Sequence, residues 1–337
     1  MSKESNKRLA KNTLALYFRT FITLIVSLYT TRVVLKVLGE TDYGIYSLVA
    51  GVVILFSFLN GALSYATERF LTLQLGKKNL QKMKQVFSMS MTTLILLVVV
   101  FLILSETVGL WFVNSELNIP ADRFWAANWT YQLSIITFCI TVLRTPYRAT
   151  IISNEKMTFF AYVSIFESII KLAIVFCLHL STYDKLISYA TLFLISTFLV
   201  NLIYFFYCKR NFITCNYHFF WDKNLFIELT SFTGWNLLGN VTNIFTQNGV
   251  IFLINIFYGV GLNAALGIAN QVNSAVTSFI SGFQTSFVPQ IVKLYSQSKT
   301  DELHKMINST SKFSFMLIAI PVLVLMFNMT LILNLWL

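Results

Sequence analysis

Long apolar stretches recur along almost the whole chain, and short polar connections separate them. A membrane-spanning helix needs about 20 mostly apolar residues, and backbone groups inside lipid must be paired within their own helix. The pattern therefore predicts an all-α integral membrane protein with about nine transmembrane helices. The predicted spans are 14–38, 43–66, 87–110, 127–148, 157–180, 186–208, 232–258, 262–287 and 311–335.

The segment 211–231 is rich in aromatic residues and divides the predicted spans into two groups. Aromatic side chains favour the boundary between membrane and water, so we predict an interfacial cytoplasmic linker there. Residues 1–210 would then form a six-helix bundle, and 232–337 the first three helices of a second bundle, which on this count is incomplete. A shift of about 220 residues overlays the first span on the seventh, as in transporters built from two halves. Chance alignment of two apolar helices is the alternative.

The distribution of charge predicts how the chain crosses the membrane. Of its 337 residues, 56% are hydrophobic and 12% charged, and the formal net charge is +11. Lys and Arg collect on the cytoplasmic side of membrane proteins. One predicted side holds 19 of them, at Lys3, Lys7, Arg8, Lys11, Arg69, Lys77, Lys78, Lys82, Lys84, Arg144, Arg148, Lys156, Lys209, Arg210, Lys223, Lys293, Lys299, Lys305 and Lys312. The other side holds four, at Arg32, Lys36, Arg123 and Lys185.

This asymmetry predicts a multi-pass protein of the bacterial inner membrane with a cytoplasmic N-terminus. Nucleic acid is not an expected partner, because no basic soluble domain exists to bind it. The four cysteines include no CxxC pair, and the three histidines lack the spacing of metal ligands. There is no GxxxxGK[ST] motif for ATP, and the outward connections are too short for the catalytic residues of a membrane polymerase. We predict no metal, no cofactor and no enzymatic activity.

Polar side chains recur at helical spacing inside four predicted spans, which places each set on one helix face. The sets are Thr20, Thr23, Ser27 and Thr30 in span 1; Thr130, Ser134, Thr137, Thr141, Arg144 and Arg148 in span 4; Asn236, Asn240, Asn243 and Gln247 in span 7; and Asn270, Ser274, Thr277, Ser281 and Gln284 in span 8. Helix packing is the favoured interpretation of hydroxyls alone, since Ser and Thr also join membrane helices. The amide stripe of span 7 exceeds what packing requires and predicts a water-filled cavity.

Intramembrane charges extend the predicted cavity. Arg19 lies about 9 Å into span 1, where it either faces the cavity or reaches back to the surface. Glu167 and Lys171 have the i, i+4 order of an ion pair, and Glu167 is the candidate for ion coupling. Arg144 and Arg148 either face the cavity or anchor span 4 at the surface. The full predicted binding set, for a diphosphate or sugar, is Arg19, Arg144, Arg148, Lys171, Asn236, Asn240, Asn243, Gln247 and Asn270.

The sign of these charges bears on the cargo. Arg presents a planar fork that binds phosphate through two hydrogen bonds, so several Arg and Lys around a polar cleft suit a pyrophosphate group. An exporter of drug cations would instead need carboxylates or aromatic cages. Glu167 is the clearest buried acid, and a lysine accompanies it.

The start of the chain resembles a known family in the segment KRLAKNTLALYFRTFITLIVSLYTTRVVLKVLGETDYGIYSLV. It looks like the start of bacterial polysaccharide-biosynthesis flippases, the O-antigen and oligosaccharide-lipid translocases of the multidrug/oligosaccharidyl-lipid/polysaccharide exporter superfamily. The resemblance is strongest over 1–85 and rests on Asn12, Arg19, Leu38-Gly39, Asp42-Tyr43-Gly44-Ile45-Tyr46 and Arg69.

The resemblance implies two six-helix bundles that face each other across a central cavity. The implied activity is movement of an undecaprenyl-diphosphate-linked oligosaccharide from the inner to the outer leaflet by alternating access, for O-antigen, capsule or exopolysaccharide biosynthesis. Arg19 is the position that best fits a contact to the diphosphate. The implied partners are the lipid-linked oligosaccharide, membrane lipids and a polysaccharide polymerase. The alternative is a multidrug or small-cation antiporter of the same superfamily, which a lone titrating carboxylate in the cavity would favour.

Overall fold

The computed structural model describes residues 3–54, 57–115, 119–180, 183–235 and 260–336, and each regular element within these ranges is a helix. The α-helices are α1 (Lys3–Ile54), α2 (Ser57–Gly76), α3 (Leu80–Leu104), α4 (Leu110–Ser115), α5 (Phe124–Leu143), α6 (Thr145–Ser153), α7 (Met157–Leu180), α8 (Lys185–Asn211), α9 (223–235), α10 (Val260–Ser296) and α11 (Thr300–Trp336). A π-helical turn joins α3 to α4 at Ser105–Gly109, and 3-10 turns lie at Ala121–Arg123 and Ile213–Cys215.

Five helical stretches among the described residues are long and apolar enough to cross a membrane. They are Leu80–Ser115, Ala121–Ser153, Met157–Leu178, Lys185–Asn211 and Thr300–Leu331. The predicted all-α, multi-pass membrane architecture is therefore confirmed.

A sharp break at Gly39 divides α1 into two spans without an intervening loop. Gly39 has φ 82° and ψ 169°, a backbone conformation open essentially to glycine alone. The helix therefore kinks between the first and second predicted spans at a single residue. The second predicted span, 43–66, is built from the end of α1 and the start of α2.

The fourth predicted span, 127–148, does not form one continuous helix. Helix α5 ends at Leu143, and α6 begins at Thr145 with Pro146 in its first turn. Proline lacks the N–H that a continuing helix needs, and its ring clashes with the preceding turn. Arg144 therefore lies at the junction itself, and Arg148 lies in α6.

Two buried apolar clusters hold the first 230 residues together, one at each end of the helices. We name the two ends by Asn12 and Asp42, which lie at opposite ends of the first span. The cluster at the Asp42 end includes Val49, Phe101 and Tyr131. The cluster at the Asn12 end includes Leu16, Phe87, Tyr147 and Tyr204, together with Leu229 of α9.

An ion network ties three elements together at the Asp42 end. Arg123 donates from Nε to Asp42 Oδ1 at 2.8 Å and from Nη1 to Asp184 Oδ2 at 2.6 Å. Asp184 also caps α8 by accepting from the backbone N–H groups of Leu186 and Ile187. Partial burial opposes ionisation of Asp184, but the hydrogen bonds from Arg123 and from these backbone groups together hold its pKa below the ordinary value.

Helix α10 packs against both α1 and α2, and α11 packs against α10. The outer surface of α11 carries large exposed apolar side chains, such as Phe313, Phe315 and Phe327, as expected of a helix in lipid. The segment between α8 and α9 lies on α3, where Tyr217 Oη is 3.3 Å from Thr92 Oγ1. The division into bundle, linker and second bundle stays a prediction.

Candidate functional site: a cationic cavity

A cavity of about 670 Å³ lies between the first helices of the chain and α10. Its lining comes from α1, α6, α7, α8 and α10. The lining residues are Leu16, Arg19, Thr20, Thr23, Leu24, Val26, Ser27, Thr30, Arg148, Phe160, Ser168, Lys171, Tyr189, Phe193, Ser281 and Thr285. Three are cationic, and none of these described lining residues is acidic.

The polar stripe of the first span faces this cavity. Thr20, Thr23, Ser27 and Thr30 all line it, and Arg19 joins them. Two of the hydroxyls are already satisfied within α1, because Thr20 donates to Leu16 O at 2.8 Å and Thr23 to Thr20 O at 3.1 Å. Their remaining lone pairs are available to water or ligand.

Two guanidinium groups share one aromatic ring at the Asn12 end of the cavity. The Cζ of Arg19 lies 4.8 Å from the ring centroid of Phe160, and that of Arg148 lies 5.3 Å from the same centroid. Within the described part of the chain, neither arginine has a carboxylate within ion-pair distance. The Nε of Arg19 is buried and has no hydrogen-bond partner there. Both cations are thus held in place by the ring, with hydrogen-bond donors free for an anion.

A three-residue ion network lies beside this pair. Glu167 accepts from Lys171 Nζ at 2.9 Å through one oxygen and from Arg144 Nη1 at 3.3 Å through the other. The ammonium of Lys171 also lies 5.1 Å from the ring centroid of Phe193. One carboxylate between two cations leaves the group with a net positive charge. A carboxylate paired twice is also a poor carrier for a proton, which argues against the predicted ion-coupling role of Glu167.

The predicted binding residues separate into three classes. Arg19, Arg148 and Lys171 line the cavity. Arg144 does not line it, but it pairs with Glu167, which in turn pairs with Lys171. The backbone of Asn270 belongs to α10, but its side chain lies outside the described residues. The amide stripe Asn236, Asn240, Asn243 and Gln247 also lies outside them.

The hydroxyl stripe of the fourth span does not line the cavity. Thr130, Ser134, Thr137 and Thr141 each donate to the carbonyl four residues earlier, at 2.7–2.9 Å. Thr130 is fully buried, in keeping with the packing interpretation of hydroxyls alone.

Several lining residues could not be recognised as site residues from the sequence. Phe160, Tyr189 and Phe193 look like ordinary apolar positions in the sequence. Ser168 could have been found, because it lies one turn before Lys171 on the same helix face. Thr285 lines the cavity, whereas its neighbour Gln284, which belongs to the predicted stripe of span 8, is exposed.

Comparison with known proteins gives one matching sequence family and several solved structures with a similar fold. The sequence matches the family of polysaccharide biosynthesis proteins over residues 9–295. No curated protein sequence matches the chain significantly. The groups of His, Cys, Asp and Glu within the described ranges include none that could hold a metal ion.

The fold is similar to those of solved membrane transporters. One is a multidrug resistance transporter of the MATE family and MOP superfamily in an outward-facing conformation, 14% identical, with a TM-score of 0.77 over 95% of this chain and 72% of that one. A mutant MATE transporter is 13% identical, with a TM-score of 0.81 over 97% and 75%. A MOP superfamily transporter from Pyrococcus furiosus, reported to have a binding pocket of reverse polarity that suggests a different function, is 12% identical, with a TM-score of 0.72 over 95% and 72%.

Proposed function

Because the chain belongs to the polysaccharide biosynthesis protein family and has the fold of the MATE transporters, we propose that it is a lipid flippase. Its cargo would be an undecaprenyl-diphosphate-linked oligosaccharide for surface polysaccharide such as O-antigen, capsule or exopolysaccharide. The oligosaccharide would pass from the inner to the outer leaflet by alternating access, with the lipid tail remaining in the bilayer. A polysaccharide polymerase would consume it on the outer side.

The observation that carries this proposal is the pair of guanidinium groups without carboxylate partners on Phe160. Two like charges near one ring repel each other, and a bound dianion would offset this repulsion. Arg19 and Arg148 would each donate to phosphate oxygens, and Lys171 would add a third charge. The volume of about 670 Å³ is within the usual range of ligand pockets and would hold a diphosphate and its first sugar.

We assign the Asn12 end to the cytoplasm, on the strength of the 19 to 4 asymmetry of Lys and Arg. This orientation corresponds to the inner membrane of a bacterium. A potential that is negative inside would then assist the outward movement of an anion, by about 2.3 kcal/mol per charge per 100 mV. The amides at Asn236, Asn240, Asn243, Gln247 and Asn270 are proposed as the contribution of the second half.

The competing proposal is a multidrug or small-cation antiporter, which the similarity to a multidrug resistance MATE protein favours. Such a function needs a carboxylate that meets the cation. The described lining has no acidic residue, and Glu167 is already paired twice. Since the Pyrococcus furiosus relative is reported to have a pocket of reverse polarity, the fold alone does not determine the cargo.

Direct binding to the purified protein tests the proposal. We expect undecaprenyl diphosphate to bind in detergent more tightly than undecaprenol, and Arg19→Gln or Arg148→Gln to weaken the diphosphate by about tenfold or more, because each removes a charge-assisted contact. Arg210→Gln is the matched control, since Arg210 is exposed at the end of α8. Equal affinity for both lipids, or an effect of Arg210→Gln as large as that of Arg19→Gln, would refute it.

A further inference from the structure

A hydrogen bond joins α10 to the first part of the chain at the Asn12 end of the cavity, and a second bond holds the backbone of the residue that accepts it. Gln290 of α10 donates from Nε2 to Oε2 of Glu155 at 3.3 Å, and Asn12 of α1 donates from Nδ2 to the backbone oxygen of Glu155 at 3.1 Å. Asn12 is 6% exposed and Gln290 7% exposed. Both amide side chains are therefore buried and hydrogen-bonded at this contact.

The backbone of Glu155 has an unfavourable conformation. Its φ of 58° is left-handed, a region that is unfavourable for a residue with a side chain. The conformation closes the end of α6, where the N–H of Glu155 donates to Ile152 O and that of Lys156 to Ile151 O. Glycine would fit this position with less strain but could not provide the carboxylate that Gln290 binds.

A second contact close by depends on the absence of a side chain. A Cβ built on Gly76, at the end of α2, would lie 1.7 Å from Ser296 Oγ and 3.2 Å from the Cα of Lys293. Gln297 donates to the backbone oxygen of Gly76 at 3.3 Å. The ends of α2 and α10 therefore lie so close together that a side chain at position 76 would clash with Ser296.

We propose that Glu155 and Gln290, with Asn12 and the Gly76–Ser296 contact, form a gate that closes the cavity at the Asn12 end. The gate deepens the proposed function and rests on it, because alternating access requires this end to open once in each cycle. None of these residues lines the cavity, so they govern access and not affinity. Breaking the gate should favour an opening at the Asn12 end, and strengthening it should hold that end closed.

Charge substitutions of Gln290 can either weaken or strengthen its contact with Glu155. Gln290→Glu places two carboxylates against each other, whereas Gln290→Lys creates an ion pair with Glu155. The double variant Glu155→Lys with Gln290→Glu restores opposite charges. Glu155→Gly removes the carboxylate while relieving the backbone, so a loss of closure in that variant cannot come from a strained fold.

Hydrogen–deuterium exchange of the whole chain in nanodiscs, followed by mass spectrometry, gives the readout. We expect amides in 150–156 and 286–297 to exchange about tenfold faster in Gln290→Glu and Glu155→Gly, and slower than in wild type in Gln290→Lys and in the double variant, which both have an ion pair at this contact. Exchange in α5 reports whether each variant is folded. Unchanged exchange of both segments in folded Gln290→Glu and Gln290→Lys would overturn the gate.

A binding measurement on the same variants separates the gate from the proposed cargo. Affinity for undecaprenyl diphosphate should stay within about threefold of wild type, since the cavity lining is intact. If exchange responds as expected but no variant binds the diphosphate, the gate stands and the proposed cargo fails. If the diphosphate binds and exchange does not respond, the gate fails alone.

Discussion

At the scale of single residues, the charged side chains of the site and its surroundings divide into those that form ion pairs within the protein and those that do not. Glu167 with its two cations and Arg123 with its two carboxylates are complete ion networks. Arg19 and Arg148 each lie over an aromatic ring and form no salt bridge among the described residues. The ion-paired residues have a structural role, whereas Arg19 and Arg148 have hydrogen-bond donors that could bind an anion.

The Arg123 network gives a pH-dependent prediction at this scale. Because the pKa of Asp184 is depressed, its stabilising charge is present well above the ordinary value of 3.8 and is lost as the pH falls through and below that value. We expect Asp184→Asn to lower stability by about 1 kcal/mol at neutral pH and by much less near pH 3, because the amide can still cap α8. Thermal unfolding in detergent at both pH values measures this.

Asp122→Asn is the matched control, since Asp122 is exposed in the same 3-10 turn as Arg123. It should change the unfolding temperature little at either pH. An equal penalty for Asp184→Asn at both pH values would mean that the charge of Asp184 contributes nothing.

At the scale of elements, the break in α1 depends on one glycine. Gly39→Ala should destabilise the protein by about 1–3 kcal/mol, because a Cβ is strained at φ 82° even where space is free. Gly44→Ala, a few residues further along α1, should be neutral or stabilising by up to about 1 kcal/mol, since Gly44 is helical and its added Cβ meets nothing within 4 Å. Thermal unfolding of the two variants side by side checks the contrast, and equal effects would contradict it.

Helical spacing was enough to predict which faces are polar but not what those faces contact. The stripes of the first and fourth spans have the same spacing, yet Thr20 and Thr23 line the cavity while Thr130 and Thr137 pack in the interior. Hydroxyls that bond back to their own helix suit either setting. The amide stripe of the seventh span stays a prediction.

At the scale of the whole molecule, the cavity depends on contacts between residues far apart in the sequence. Arg19 and Arg148, which are 129 positions apart, both lie over the ring of Phe160, and nothing local in the sequence indicated this. The contact between Gln290 and Glu155 spans 135 positions and had no local signal. Composition and periodicity predicted the membrane fold, because each helix satisfies its own backbone whatever its neighbours are.

The central claim, that the cationic cavity carries a lipid-linked diphosphate, is tested most directly by transport in proteoliposomes. A fluorescent undecaprenyl-diphosphate-linked sugar should cross between leaflets faster with the protein than in protein-free vesicles. Substituting Arg19→Gln and Arg148→Gln together should remove this acceleration, and ethidium should not be transported. Transport of ethidium without any acceleration of the diphosphate lipid would contradict the account.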